Sequence, residues 1–167
     1  KSGVKAAQPK IEKSFAGKDV KARFEVFHGI SSTGEIARMR DLIHKEGFNV
    51  VCAIGGGSAI DTAKAAAYYE HLPVVVIPTV CATDAPCTGL SVIYNDDGSF
   101  SNYIFYPKNP DAVIVDSSII VSAPVRFLVA GMGDALGTYF EARMCEKTNS
   151  PSLENGGITK SAMALCE

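Results

Sequence analysis

The stretch VVCAIGGGSAIDTAK, residues 50–64, decides the fold. Residues 50–54 are a continuous apolar run, which reads as a buried strand. Gly55, Gly56 and Gly57 follow without interruption, and residues 58–69 read as a helix opened by Ser58. Glycines let the backbone turn sharply and approach a ligand closely, while the first turn of a helix offers unpaired N–H groups and the positive end of its dipole. Strand, glycines and helix in that order make a phosphate cradle, best suited to a nucleotide. The glycines do not follow G-x-G-x-x-G spacing, and Gly-Lys-Ser/Thr is missing, so neither the dinucleotide fingerprint nor a Walker A loop is present.

Working outward, Pro9 in a first-turn position starts a short helix through about Phe15, closed by Gly17. Residues 20–27 alternate, with Val20, Ala22, Phe24 and Val26 set against Lys21, Arg23 and Glu25, which is strand period. Ser32-Thr33-Gly34-Glu35 reads as a capping box, and Ile36, Met39, Leu42 and Ile43 mark a helix face ending at Gly47. Residues 73–77 form another apolar strand. Residues 90–94 and 100–106 read as a hairpin turning at Asp97-Gly98, and residues 112–115 as one more buried strand. The alternation of short strands and helices implies an α/β, doubly wound parallel sheet with ligands at the carboxyl ends of its strands. From Ala123 the character changes: residues 124–130 and 132–146 read as helices and no strand follows. The expected division is therefore an α/β domain over residues 1–117 and the beginning of an all-helical domain over 118–167.

Composition narrows the function classes. The 167 residues are 47% hydrophobic and 20% charged, ordinary for a globular chain able to bury a core. A net charge of −2 gives no electrostatic case for nucleic acid or an anionic membrane, and no apolar run approaches the ~18 residues of a membrane span. Five cysteines, an odd number with no C-x-x-C pair, point to a reducing compartment; Cys52 reads as a small hydrophobe in its strand, and the cytoplasm is the expected location. The chain opens on Lys1 rather than Met and stops at Glu167 inside a helix that starts near Thr159, so it is expected to be a fragment.

Several polar residues admit two readings from spacing alone. Asp61 suits either a function at the cradle or a Ser58-x-x-Asp61 capping box, with Lys64 its partner on the helix surface. Thr79, Thr83 and Asp84 follow a strand on the ligand-bearing edge, where they either line a site or belong to a turn in which Asp84 bonds its own backbone ahead of Pro86. Asp134 enters an apolar helix whose buried face is Leu136, Tyr139 and Phe140, as an N-terminal cap or as a metal ligand. His28, His44 and His71 lack H-x-x-x-H spacing and read as solvent-facing.

Taken together, the segments resemble the glycerol dehydrogenase branch of the iron-containing (group III) alcohol dehydrogenase family. The resemblance rests on Gly55-Gly56-Gly57 with Asp61-Thr62-Ala63-Lys64, on Thr83-Asp84-Ala85-Pro86, and on Leu90-Ser91-Val92-Ile93-Tyr94. Tyr106-Pro107-Lys108-Asn109-Pro110-Asp111 and Ala123-Pro124-Val125-Arg126 continue it. Gly131-Met132-Gly133-Asp134-Ala135-Leu136 with Glu141-Ala142-Arg143 completes it, so essentially the whole chain is covered.

The resemblance implies a dehydroquinate-synthase-like, NAD-binding α/β domain followed by a helical metal-binding domain. It implies NAD-dependent, metal-assisted oxidation of glycerol or a similar polyol, with glycerol giving dihydroxyacetone, by a homo-oligomer (octameric in the family). Cofactor contacts would fall on Gly55, Gly56, Gly57, Ser58, Asp61, Thr79, Ala82, Thr88, Leu90 and Tyr94. Asp84 matches the carboxylate that contacts the polyol, and Asp134 the aspartate ligand of a divalent metal, zinc or iron. Ser58 stands where many glycerol dehydrogenases carry Lys, and Ala82 where Ser is common, which keeps a simple-alcohol dehydrogenase in view. The two histidines that complete the metal site are expected beyond residue 167, and the first strand before residue 1. A catalytically incomplete nucleotide-binding fragment is the competing reading for the chain as it stands.

Overall fold

A computed structural model describes residues 2–153 and 155–167. Three strands form a parallel sheet: β1 (Val51–Gly55), β2 (Val74–Pro78) and β5 (Ala112–Val113), in the order β1-β2-β5. The β1–β2 register runs from Val51 opposite Val74 to Gly55 opposite Pro78, so both strands end at the same level. Parallel neighbours need a crossover, and α3 (Gly57–Tyr69) supplies it, packing on β1 and β2. Its side toward the sheet carries Ile60 and Ala67, which form a core with Ala53, Val74, Val76 and Ala85. On its other side Ala65 meets Ile36 of α2 (Thr33–Glu46) and Ile93 of β3 (Leu90–Tyr94). The small side chains Ala65, Ala66 and Ala67, all buried, let these layers approach closely. An α/β fold with a parallel sheet is therefore present.

β3 and β4 (Phe100–Phe105) form a separate antiparallel hairpin, turning where the sequence places the turn. Gly98 has φ +87°, and Asp97 Oδ1 accepts from the Ser99 N–H and hydroxyl. At the start of α2, Ser32 Oγ accepts from Glu35 N at 3.2 Å, but only that half of the capping box forms. The Glu35 carboxylate instead accepts from His28 N and from the Arg38 guanidinium.

Several sequence expectations are corrected, and the strand expected over 112–115 shortens to β5, with Ile114 and Val115 exposed rather than buried. Residues 20–27 are not a strand, although their alternation is genuine. A strand exists only through ladder bonds to a neighbour, and among the described residues none lies beside this segment. A groove of about 680 Å³ separates it from β1, lined by Phe24, Phe27, Met39 and Ile54 among others. Cys52 also lines that groove and is exposed rather than a core hydrophobe. The first helix, α1 (Ser2–Phe15), starts about two turns before Pro9, which sits in its interior. Interior proline costs ~3 kcal/mol; the helix nonetheless continues through it, packs against β1 and buries Ala7. Finally, the helical region is one 24-residue helix, α5 (Val125–Thr148), which runs unbroken through Gly131, Gly133 and Gly137. Leu136 and Phe140 on it are exposed, because nothing among the described residues packs on that face.

Ahead of α5, the short α4 (Ser117–Ile120) is capped by Asp116, which accepts from Ser118 N and Oγ and from Lys10 Nζ of α1 at 2.6 Å. The Lys10 ammonium, aided by Ser118, holds the Asp116 carboxyl at about 2, below its usual 3.8. A depressed folded pKa means that the stabilisation is complete above the usual value and is lost as pH falls through about 2. Lys10→Ala should therefore raise the Asp116 midpoint toward 3.8 in an NMR carboxyl titration, and leave the pH dependence of stability flat between 5 and 7. An unmoved midpoint would mean that the ammonium is not the cause. α6 (Lys160–Cys166) closes the chain, capped by Thr159 Oγ1 accepting from Ala162 N at 3.0 Å. Among the described residues no helix is long and apolar enough to cross a membrane.

Candidate functional site: a glycine cradle at the carboxyl edge of the sheet

β1 and β2 end side by side, and Gly55 O accepts from Thr79 N at 2.9 Å, tying the two exits together. From there one chain enters the glycines and the other a loop over residues 79–89. Gly56 caps α3 with φ −95° and ψ −173°, and none of the three glycines has positive φ. Their requirement is space rather than a left-handed turn. A Cβ on Gly55 would lie 2.8 Å from Ala59 Cβ, one on Gly56 3.2 Å from Val80 Cγ2, and one on Gly57 3.2 Å from Thr83 Cγ2. The glycine loop and the 79–89 loop thus nest against each other.

Gly56 has no side chain to cap the helix, and the first intrahelical bond is Ile60 N to Gly56 O. The N–H groups of Gly57, Ser58 and Ala59 therefore have no intrahelical acceptor and stand at the positive end of the α3 dipole. Together with the close-packed glycines, this arrangement fits an anionic pyrophosphate.

The expected site residues fall into three groups. Gly55, Gly56, Gly57, Ser58, Thr79 and Ala82 gather at the carboxyl edge, Thr79 buried and Ser58 exposed. Asp84 is exposed on the loop; Thr83 Oγ1 donates to its Oδ1 at 3.4 Å, and Cys87 N donates to its carbonyl. A turn over Asp84 to Cys87 is thus formed, but through the Asp84 carbonyl; the expected turn in which the Asp84 side chain bonds its own backbone is not seen among the described residues, and the carboxylate stays exposed. Thr88 and Leu90 lie where the loop returns to β3, and Tyr94 lies at the far end of that strand, its N–H bonded to Ser31 O.

Asp61 is not a capping residue, since the cap is Gly56 and not Ser58. The residue is 8% exposed, and its carboxylate is turned inward. Oδ2 accepts from Val92 N at 3.3 Å, and Oδ1 lies 3.2 Å from Lys64 Nζ. The expected Asp61–Lys64 pair exists, but in the interior rather than on the helix surface. Lys64 is the residue that sequence reasoning undervalued. The available signal was its setting, one ammonium in the alanine-rich stretch Ala63 to Ala67.

Asp134 lies in the interior of α5, exposed, so the capping alternative is removed. One turn earlier, Gly131 rests on the 79–89 loop. A Cβ there would fall within the van der Waals shell of the Cys81 carbonyl and 3.3 Å from Ala82 Cα. α5 is thereby laid against the loop that carries Asp84, with Asp134 just beyond the contact. Among the described residues no three His, Cys, Asp or Glu side chains converge. Asp134 offers one oxygen donor. His44 and His28 are solvent-facing, as expected.

The sequence profile described as iron-containing alcohol dehydrogenase matches residues 3–117. The chain is 48% identical over 162 residues to a glycerol dehydrogenase from Citrobacter freundii, covering 97% of this chain and 44% of that relative. The crystal structure of glycerol dehydrogenase from Schizosaccharomyces pombe superposes with a TM-score of 0.84 at 35% identity, covering 97% of this chain and 41% of that one. Sulfoacetaldehyde reductase from Bifidobacterium kashiwanohense in complex with NAD+ superposes with a TM-score of 0.69 at 25% identity, covering 83% and 42%. The chain thus spans under half the length of these relatives.

Proposed function

This chain belongs to the iron-containing alcohol dehydrogenase family, and from that premise we propose that the whole protein is an NAD-dependent, metal-assisted glycerol dehydrogenase converting glycerol to dihydroxyacetone. The observation that carries the reading is the glycine cradle facing the uncapped start of α3 at the carboxyl edge of the sheet. An NAD-bound relative of the same fold supports the choice of nucleotide, and the similarity to glycerol dehydrogenases supports the choice of alcohol.

In this proposal the N–H groups after Gly56 hold the pyrophosphate, flanked by Gly55, Gly57 and Ser58. Thr79, Ala82, Thr88, Leu90 and Tyr94 border the remainder of the dinucleotide. NAD, when bound, supplies the hydride acceptor. The exposed Asp84 carboxylate accepts from a hydroxyl neighbouring the one oxidised and so fixes which carbon faces the nicotinamide, a positioning effect on rate as well as affinity. Asp134 is one ligand of a divalent metal, zinc or iron, whose chemistry when bound is to make a coordinated hydroxyl more acidic.

The division into an NAD-binding unit over 1–117 and a helical unit from 118 belongs to the same reading, supported by the end of the family match at 117 and by the all-helical remainder. So do a cytoplasmic location and a homo-oligomeric state, octameric as the resemblance implies, with neither nucleic acid nor membrane as partner.

A substrate panel tests the reading. The full-length protein with NAD should turn over glycerol faster than ethanol or glycerol phosphate, and faster than with NADP. Faster turnover of a simple alcohol would instead favour the second reading, another alcohol or polyol dehydrogenase of the family, to which Ser58 and Ala82 lend weight.

A further inference from the structure

Lys64 is only 3% exposed, and its surroundings are specific. An ammonium has three N–H donors and no acceptor. Three backbone carbonyls converge on it: Ala85 O at 2.9 Å, Thr88 O at 3.2 Å, and Leu90 O. Donors and acceptors match one to one. A neutral amine, with two N–H bonds, would leave one of these carbonyls unpaired, so the geometry requires the charged form. The Asp61 carboxylate, 3.2 Å away and itself anchored to Val92 N, supplies the countercharge. Burial pushes the Lys64 ammonium down and the Asp61 carboxyl up, and each partner opposes the other's shift.

Residues 85–90 have few bonds of their own. Cys87 N donates to Asp84 O, Gly89 O accepts from Tyr106 N, and Leu90 enters the β3 ladder. The carbonyls of Ala85 and Thr88 face inward from a loop, where neither helix nor sheet provides a donor, and an unmet carbonyl there is costly. A single buried point of positive charge satisfies them and fixes the curvature between Asp84 and β3.

We propose that Lys64, held in place by Asp61, is a positioning residue that draws residues 85–90 into shape before any ligand arrives, setting Asp84 at one end of the loop and Thr88 and Leu90 at the other. This assigns Asp61 a role through Lys64 rather than through contact with the cofactor. The consequence for catalysis rests on the NAD reading above, whereas preorganisation of the loop does not.

Titration of the unaltered full-length protein with NAD tests the nucleotide reading alone. Absence of binding would defeat that reading and leave the clamp to be decided by hydrogen exchange. In the ligand-free protein, amides within 85–90 should exchange at least tenfold slower than an unstructured peptide. Exchange at the unstructured rate overturns the proposal without recourse to any variant.

Where NAD binds, Lys64→Met should raise its Kd at least tenfold and lower the melting temperature, because Asp61 is left buried without its countercharge. Adding Asp61→Asn should recover much of the melting temperature but not the affinity. Lys64→Arg, whose donors spread across a plane and cannot meet three carbonyls at one point, should also lose affinity. An NAD Kd within twofold of the parent in variants with lowered melting temperature would reduce Lys64 to a structural residue and overturn the proposal.

Discussion

Gly56→Val is expected to abolish NAD binding while leaving the chain folded. The backbone at Gly56 is extended, φ −95° and ψ −173°, a conformation open to valine, so no backbone strain arises. The new Cβ would meet Val80 Cγ2 at 3.2 Å, a contact relieved by a shift of a few tenths of an ångström. Overpacking of this kind costs about 1–3 kcal/mol, a loss of several degrees in melting temperature rather than of the fold. For the ligand the outcome is different. The added methyl groups stand between the loops, beside the free N–H groups of Gly57, Ser58 and Ala59, and a pyrophosphate needs to approach those groups closely. Calorimetry should show affinity reduced beyond measurement, with Gly56→Ala intermediate. Unchanged affinity in a folded Gly56→Val protein would sink the cradle.

Asp134→Asn should have a comparably large effect on turnover and almost none on folding. Had Asp134 been a helix cap, its loss would cost about 1 kcal/mol. It instead lies within α5, and the side-chain hydrogen bond that reaches it, from Thr138 Oγ1, goes to its backbone carbonyl rather than to its carboxylate. Asparagine keeps the shape and removes the anionic oxygen that a divalent cation prefers. The full-length variant should melt normally without metal, carry less zinc or iron by elemental analysis, and turn over glycerol several orders of magnitude more slowly. Retained metal together with retained turnover would remove Asp134 from the proposed site.

What could be read from the sequence divides along the range of the interactions concerned. The glycine loop, the Asp97-Gly98 turn, the Ser32 cap and the apolar strands β1 and β2 depend on near neighbours in the chain, and each stands within a residue or two of its expected position. Residues 20–27 alternate as a strand should, but pairing is a property of two segments, and one segment cannot reveal it. The extent of α5 was obscured because glycine weighs against a helix by only ~1 kcal/mol, and the reason for Gly131 is a loop fifty residues earlier. Cys52 and Lys64 went wrong in opposite directions: an apolar neighbourhood in sequence hid an exposed thiol, and an i,i+3 ion pair of ordinary surface type turned out to be enclosed. For Asp84 and Asp134 the residues themselves left two alternatives open; the structure shows an exposed carboxylate that does not bond its own backbone at the first and excludes a cap at the second.

The unbroken course of α5 has a mechanical consequence. With Gly131 bearing on the Cys81 carbonyl, the helix is a stiff rod resting on a fulcrum at the rim of the cradle. From that point to Thr148 it extends about 26 Å at 1.5 Å per residue, while Asp134 lies only about 4.5 Å from the fulcrum. A tilt of about 5° on this geometry would move the far end by roughly 2 Å and Asp134 by roughly 0.4 Å. The carboxylate stays almost fixed relative to Asp84 while the remote end swings, so rocking of this rod is far better suited to widening or narrowing a cleft than to disturbing the atoms beside its pivot.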